Sequence, residues 1–198
     1  MSLENYVLAS IRDGKESRDI TVKNYRELLK NQDRKALAEF VYHRFCDRYI
    51  KPFEFDDEDY KENYKNGFAI MASCCLMMEA LGSFYKGWED TNNMSKEAIN
   101  GFIARHPALH CMNTFSFYKN IRCGILHQGE TIGGYKITRE GKALFLTKTI
   151  DAVIFQQEIK MCLEEYSANL EAADWDSELW DNFRKKMKAI INNCESQR

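Results

Sequence analysis

The sequence predicts an all-α fold, an up-and-down bundle of helices carrying one small β-hairpin. Three observations predict it. Only Pro52 and Pro107 interrupt the 198 residues, and helix interiors exclude proline because it lacks an amide donor and clashes with the preceding turn. Apolar residues recur at helical spacing through successive stretches. A single segment, Gly134 to Leu146, changes to a strand-like pattern around a turn.

Taken in order, residues 3–30 hold two short helical candidates, around Tyr6–Ile11 and Tyr25–Leu29. A stronger helix is expected from about Asp33 to Tyr49, with Leu37, Phe40, Val41, Phe45 and Tyr49 on one stripe. Pro52 and the acidic run Asp56–Asp59 end it, and that run reads as a solvated loop. The next helix, about Asp59 to Tyr85, is apolar almost all round from Phe68 to Leu81, the mark of a central helix; Gly82 and Gly87 loosen its end. A shorter helix spans Ser95 to Arg105, with Ser95 as N-cap. After Pro107 another runs from about Thr114 to Gln128, and Gly129 stops it. Gly134–Thr138 and Ala143–Leu146, joined by the turn Arg139–Lys142, read as the hairpin. Helices of about Asp151–Ala172 and Ser177–Asn193 complete the chain, which reads as a single domain of residues 1–198.

Composition narrows the function. There are 28 basic and 30 acidic residues, so the chain lacks the overall positive charge of a broad nucleic-acid surface, although a local basic pocket remains open. The seven cysteines are odd in number and irregularly spaced, without a C-x-x-C, and read as reduced thiols. The first residues lack the apolar stretch of a secretory signal, and no run approaches the roughly 18 apolar residues of a membrane span. Together these predict a cytoplasmic protein.

Chemistry concentrates in Tyr118-Lys119-Asn120-Ile121-Arg122-Cys123-Gly124-Ile125-Leu126-His127-Gln128-Gly129. An arginine supplies a fixed cation with a fork of donors for a phosphate, and a histidine can take or give a proton. On a regular helix Phe117, Ile121 and Ile125 form the core stripe, and His127 lies off it in line with Asn120. Gly124 is expected to let another helix come close. Five residues place Arg122 and His127 about 140° apart. They meet only if the arginine leans round across Cys123 and Gly124, or if a two-fold axis brings a second copy against the first.

The Arg122-Cys123-Gly124-Ile125-Leu126-His127 sequence followed by a turn resembles the signature helix of the HEPN superfamily (higher eukaryotes and prokaryotes nucleotide-binding domains). The resemblance covers a bundle core of about 33–170, leaving residues 1–32 and the C-terminal helix 177–193 as elaborations. It implies a homodimer with facing motif helices and metal-independent RNA cleavage of the toxin–antitoxin or phage-defence kind, without a cofactor. A protein partner such as an antitoxin is implied as well. Arg122 and His127 would be catalytic, with Asn120, Cys123 and Glu79 in support; Glu79 resembles the acidic residue such bundles hold near the motif. Lys119, Lys136 and Arg139 would add positive charge for an RNA backbone. Cys123 stands where active members usually carry a polar residue, often asparagine. The resemblance therefore leaves two readings open, an endoribonuclease and an inactive module that binds nucleotide, RNA or a protein.

Other constellations are weaker. His106, His110 and Cys111 lie close in sequence but lack a second ligand pair at zinc-finger spacing, so no metal site is expected. Phe115, Phe117 and Tyr118 are read as core rather than as a base-stacking platform. A purely structural helical protein is the remaining alternative to both HEPN readings.

Overall fold

A computed structural model describes residues 2–13, 16–54, 62–114 and 116–195. The fold is mainly α, as composition and periodicity predict. The acidic run Asp56–Asp59, the expected start of the central helix at Asp59, and Phe115 lie outside the described residues. The chain divides into two compact units, Met1–Arg48 with Ser83–Asp90 and Leu163–Arg198, and Tyr49–Gly82 with Thr91–Cys162.

The first unit opens with an antiparallel pair, β1 (Val7–Asp13) and β2 (Glu16–Thr21). This corrects the expected helix around Tyr6–Ile11. Val7, Ala9 and Ile11 alternate as a strand does, and Asp13-Gly14 is a strong hairpin dipeptide. A bulge between Val7 and Ala9 leaves Leu8 outside the strand register. The Leu8 carbonyl instead accepts from Arg44 and from Arg48 Nη2 (2.7 Å). Helix α1 (Val22–Lys30) starts at Thr21, whose hydroxyl accepts the Asn24 N–H while the Asn24 side chain accepts the Thr21 N–H. Helix α2 (Arg34–Phe45) has Asp33 as its N-cap and continues into a wider π-helical turn, Cys46–Ile50. The unit's core is aromatic: Tyr25, Phe40, Phe45, Phe84, Tyr166, Trp180 and Phe183 are all buried. Trp180 and Phe183 come from α7 (Glu178–Glu195), and Asn182 of that helix donates to the Tyr85 carbonyl (2.9 Å).

Helix α3 (Gly67–Lys86) begins in the second unit and ends in the first. It is long and apolar enough to cross a membrane, but 67% of that stretch is buried within the protein, as befits a core helix. Helix α4 (Ser95–Arg105) packs close to it. A side chain on Gly82 would come within 2.9 Å of the Ala98 carbonyl, so the glycine sets this distance rather than loosening the helix end. Met94, not Ser95, occupies the N-cap, which leaves the Ser95 hydroxyl for another use.

The expected hairpin takes a different form. Strands β3 (Lys136–Thr138) and β4 (Phe145–Leu146) do not pair with each other. Between them lies β5 (Thr149–Asp151), parallel to β3 and antiparallel to β4. The reason is visible at Asp151, a buried carboxylate at the head of α6 (Ala152–Ala172). It accepts the Val153 and Ile154 N–H groups (3.0 and 3.1 Å) and, on its other oxygen, the Gly141 N–H (2.8 Å). One side chain thus caps the helix and pins the loop between β3 and β4, which holds β5 in the middle.

Replacing Asp151 by alanine removes the cap and leaves those amides without an acceptor. It is expected to destabilise the protein by about 2 kcal/mol. Urea denaturation checks this, and an unchanged midpoint would contradict the role given to Asp151.

Candidate functional site

The motif segment is not a regular α-helix. Tyr118–Cys123 forms a π-helical turn, and α5 (Gly124–Gln128) continues from it. Such wide turns are rare and concentrate at functional sites. Phe117, Ile121 and Ile125 are buried as expected, and Phe117 stacks on Phe155 with ring centres 5.5 Å apart. Tyr118, expected as core, is only half-buried. Only the first of the five steps from Arg122 to His127 lies within this wide turn, so it is the length of the arginine that spans the gap between them.

The two side chains meet. Arg122 Nη1 lies 3.1 Å from His127 Nε2. An arginine has only donors, so the imidazole nitrogen facing it accepts, and the ring proton sits on Nδ1. The other nitrogen, Nη2, donates to Glu79 Oε2 at 2.9 Å. Arg122 and Glu79 are each only 13% exposed at the side chain, whereas His127 is open to solvent. The guanidinium also lies 5.5 Å from the centre of the Tyr118 ring.

Glu79 is itself held. Thr91 and Ser95 both donate their hydroxyls to Oε1 at 2.7 Å. Burial pushes the Glu79 carboxyl up, but the bonds from Thr91, Ser95 and Arg122 outweigh it and set the group below its ordinary value. Burial likewise opposes the charge on Arg122, and the bond to Glu79 more than restores it. The pair is therefore fully charged and fixed. With Glu79 Oε1 and Oε2 both engaged, the carboxylate orients Arg122 and is not placed to take a proton. Arg122 Nε–H is buried with no nitrogen or oxygen acceptor, and each Nη keeps a second hydrogen.

Cys123 touches this cluster from one side. It is hydrogen-bonded to Tyr118, five residues away on the wide turn, and burial together with that thiol raises the Tyr118 hydroxyl. Cys75, one turn before Glu79 on α3, is fully buried and pushed up to about 12, so it remains a thiol.

Gly124 serves a different neighbour from the one expected. The atoms nearest it are those of a loop rather than of a second helix. A side chain there would fall 2.4 Å from the Glu130 carbonyl and 3.2 Å from Thr131 Cα, so the glycine admits the chain's own returning loop. Gly129, at φ 68°, turns the chain into that loop. Asn120 takes part in the same contact, its carbonyl accepting the Ile132 N–H at 2.8 Å. Its backbone is thus held at the loop.

The basic residues separate. Lys119 and Lys136 are exposed. Arg139 donates to Asn66 Oδ1 (2.5 Å) and lies along Gly67, so it is tied to the start of α3. His106 packs on the Phe102 ring and His110 Nε2 meets the Ala104 carbonyl. Among the described residues no group of three or more His, Cys, Asp or Glu could hold a metal ion. Thr91 and Ser95 escape sequence reasoning: a serine at a helix start signals a cap, and nothing local indicates a carboxylate from another helix.

Because the carboxyl of Glu79 is lowered in the folded protein, its charge contributes stability above the ordinary carboxylate range. That contribution is lost as pH falls through the lowered value. Glu79→Gln is therefore expected to be less stable than the parent at pH 7, with the difference shrinking toward acid pH. Denaturation midpoints across pH check it, and a pH-independent difference would contradict the charged pair. Comparison with family models, with curated proteins and with solved structures finds no match to this chain.

Proposed function

We propose that the protein is a HEPN-like RNA-targeting protein, a metal-independent endoribonuclease of the defence or toxin type. The observation that carries the reading is the Arg122 guanidinium joining the Glu79 carboxylate to His127 Nε2 at the solvent-exposed end of the motif helix. An RNA phosphate entering beside Arg122 meets the donors that the arginine has not used, in charge-assisted hydrogen bonds. The 2′-hydroxyl takes the place of Arg122 at Nε2, gives up its proton there, and its oxygen attacks phosphorus. The bond from phosphorus to the 5′-oxygen breaks, leaving a 2′,3′-cyclic phosphate and a 5′-hydroxyl. Arg122 stabilises the charge that grows on the non-bridging oxygens. A homodimer through the motif helix would supply a second histidine to protonate the leaving oxygen. Half-exposed Leu126 and exposed His127 are the surface on which such a pairing would rest.

One observation favours the second reading, a silent module that binds RNA, nucleotide or a protein such as an antitoxin. Cys123 follows Arg122 where active relatives carry a polar group, and its thiol is hydrogen-bonded to Tyr118 and Arg122.

Mixed RNA incubated with the protein in EDTA separates the two. Cleavage is expected to leave cyclic-phosphate ends and to fall by ~10²–10⁴ in His127→Ala, the usual contribution of a general base. Arg122→Ala is expected to abolish it. Undiminished cleavage in either variant overturns the assignment, and binding without any product selects the silent module.

A further inference from the structure

The loop after the motif helix returns along it. Asn120, Gly124 and His127 are spaced by four and three residues, so they share one stripe of the helix. The backbone of 130–132 lies on that stripe, in the space Gly124 leaves and against the Asn120 carbonyl. Two lysines follow this loop, Lys136 at the head of β3 and Lys148 just before β5. Lys148 Nζ donates to the Gly133 carbonyl at 2.9 Å and lies 5.5 Å from the centre of the Tyr135 ring. The Lys136 N–H donates to the Lys148 carbonyl at 2.8 Å, which makes the two lysines neighbours where β3 and β5 begin. Lys119, beside Asn120, is the third. All three are exposed in a chain whose net charge is −2. Glu130, the acidic residue of the loop, turns its carboxylate onto the Thr131 N–H and hydroxyl (2.8 and 3.2 Å).

The backbone adds a second observation. Thr147 and Lys148, which link β4 to β5, stand at φ 46° and 63°. Tight turns of this kind favour asparagine and glycine at such positions, and a β-branched threonine there is strained. Strain of this type gathers at ligand sites.

We propose that Lys148, flanked by Lys136 and Lys119 and steadied by Tyr135, is a second phosphate subsite. It holds a further phosphodiester of the single-stranded RNA whose scissile phosphate lies at Arg122 and His127. The proposal rests on the ribonuclease reading above and adds a second contact for the strand, on the far side of the 130–133 loop where β3 and β5 begin. An ammonium has three donors; one goes to Gly133, and the others are left for a phosphate.

The test is fluorescence anisotropy of a single-stranded RNA of roughly eight nucleotides, a length typical of single-strand sites. It is carried out in a His127→Ala background so that the probe survives. Lys148→Gln is expected to weaken binding by a factor of about five at about 0.1 M salt and to lower the salt slope by ~0.7, the share of one phosphate contact. Lys148→Arg should retain affinity, and Lys188→Gln, the same charge change on α7, should have no effect. A dinucleoside monophosphate, with its one phosphate, should bind Lys148→Gln and the parent alike. If Lys148→Gln leaves affinity and slope unchanged while Arg122→Ala weakens binding, the subsite falls and the ribonuclease reading stands. If Lys148→Gln weakens binding but Arg122→Ala alters neither binding nor cleavage, the ribonuclease reading falls and with it the pairing of the two sites. Absence of RNA binding in the His127→Ala parent overturns both.

Discussion

The ion pair between Glu79 and Arg122 is the constraint on which the site depends. Two nearly buried charges at 2.9 Å are tolerable only together, since removing one leaves the other stranded in a poorly solvated place. Several features of the second unit are arranged around that pairing. Gly82 lets α4 approach α3, and Ser95 thereby reaches Glu79. Thr91 adds a second hydroxyl to the same oxygen. With one Nη nitrogen fixed by Glu79, the planar guanidinium has little freedom left, and its other Nη nitrogen is directed at His127.

That arrangement has a chemical consequence. The lone pair of His127 that would accept a proton is engaged by a cation at rest. The imidazole is thereby held in one tautomer and one orientation without a carboxylate partner of its own. Glu79 acts on it only through Arg122. The unit Glu79–Arg122–His127 is thus a relay of position: a carboxylate fixed by two hydroxyls fixes an arginine, and the arginine fixes a histidine.

Much of the helical frame is legible in the sequence because its cause is local. Leu37, Phe40, Val41 and Phe45 recur at helical spacing and are buried together on α2. Asp33 caps that helix, and Gly129 ends the motif helix in the left-handed conformation. Arg122, His127 and Glu79 could be named from the chain, but their meeting could not, because it depends on how a long arginine leans and on a carboxylate from another helix. The strands were harder. Tyr6–Ile11 is too short an apolar run for periodicity to decide between helix and strand. Strand β5 is only three residues long, and a long-range bond from Asp151 places it between the other two. Among the basic residues sequence cannot tell a tied side chain from a free one. Arg139 is bound to Asn66 and Lys148 to the Gly133 carbonyl, while Lys119 and Lys136 are exposed.

The most direct test of the account is nitrogen NMR of the His127 imidazole in the neutral protein, with ¹⁵N-labelled histidine and His127→Ala to assign the signal. If Arg122 donates to Nε2, the ring carries its proton on Nδ1, and that tautomer is expected to be lost in Arg122→Ala. A ring protonated on Nε2, or a tautomer unchanged by the loss of Arg122, would contradict it.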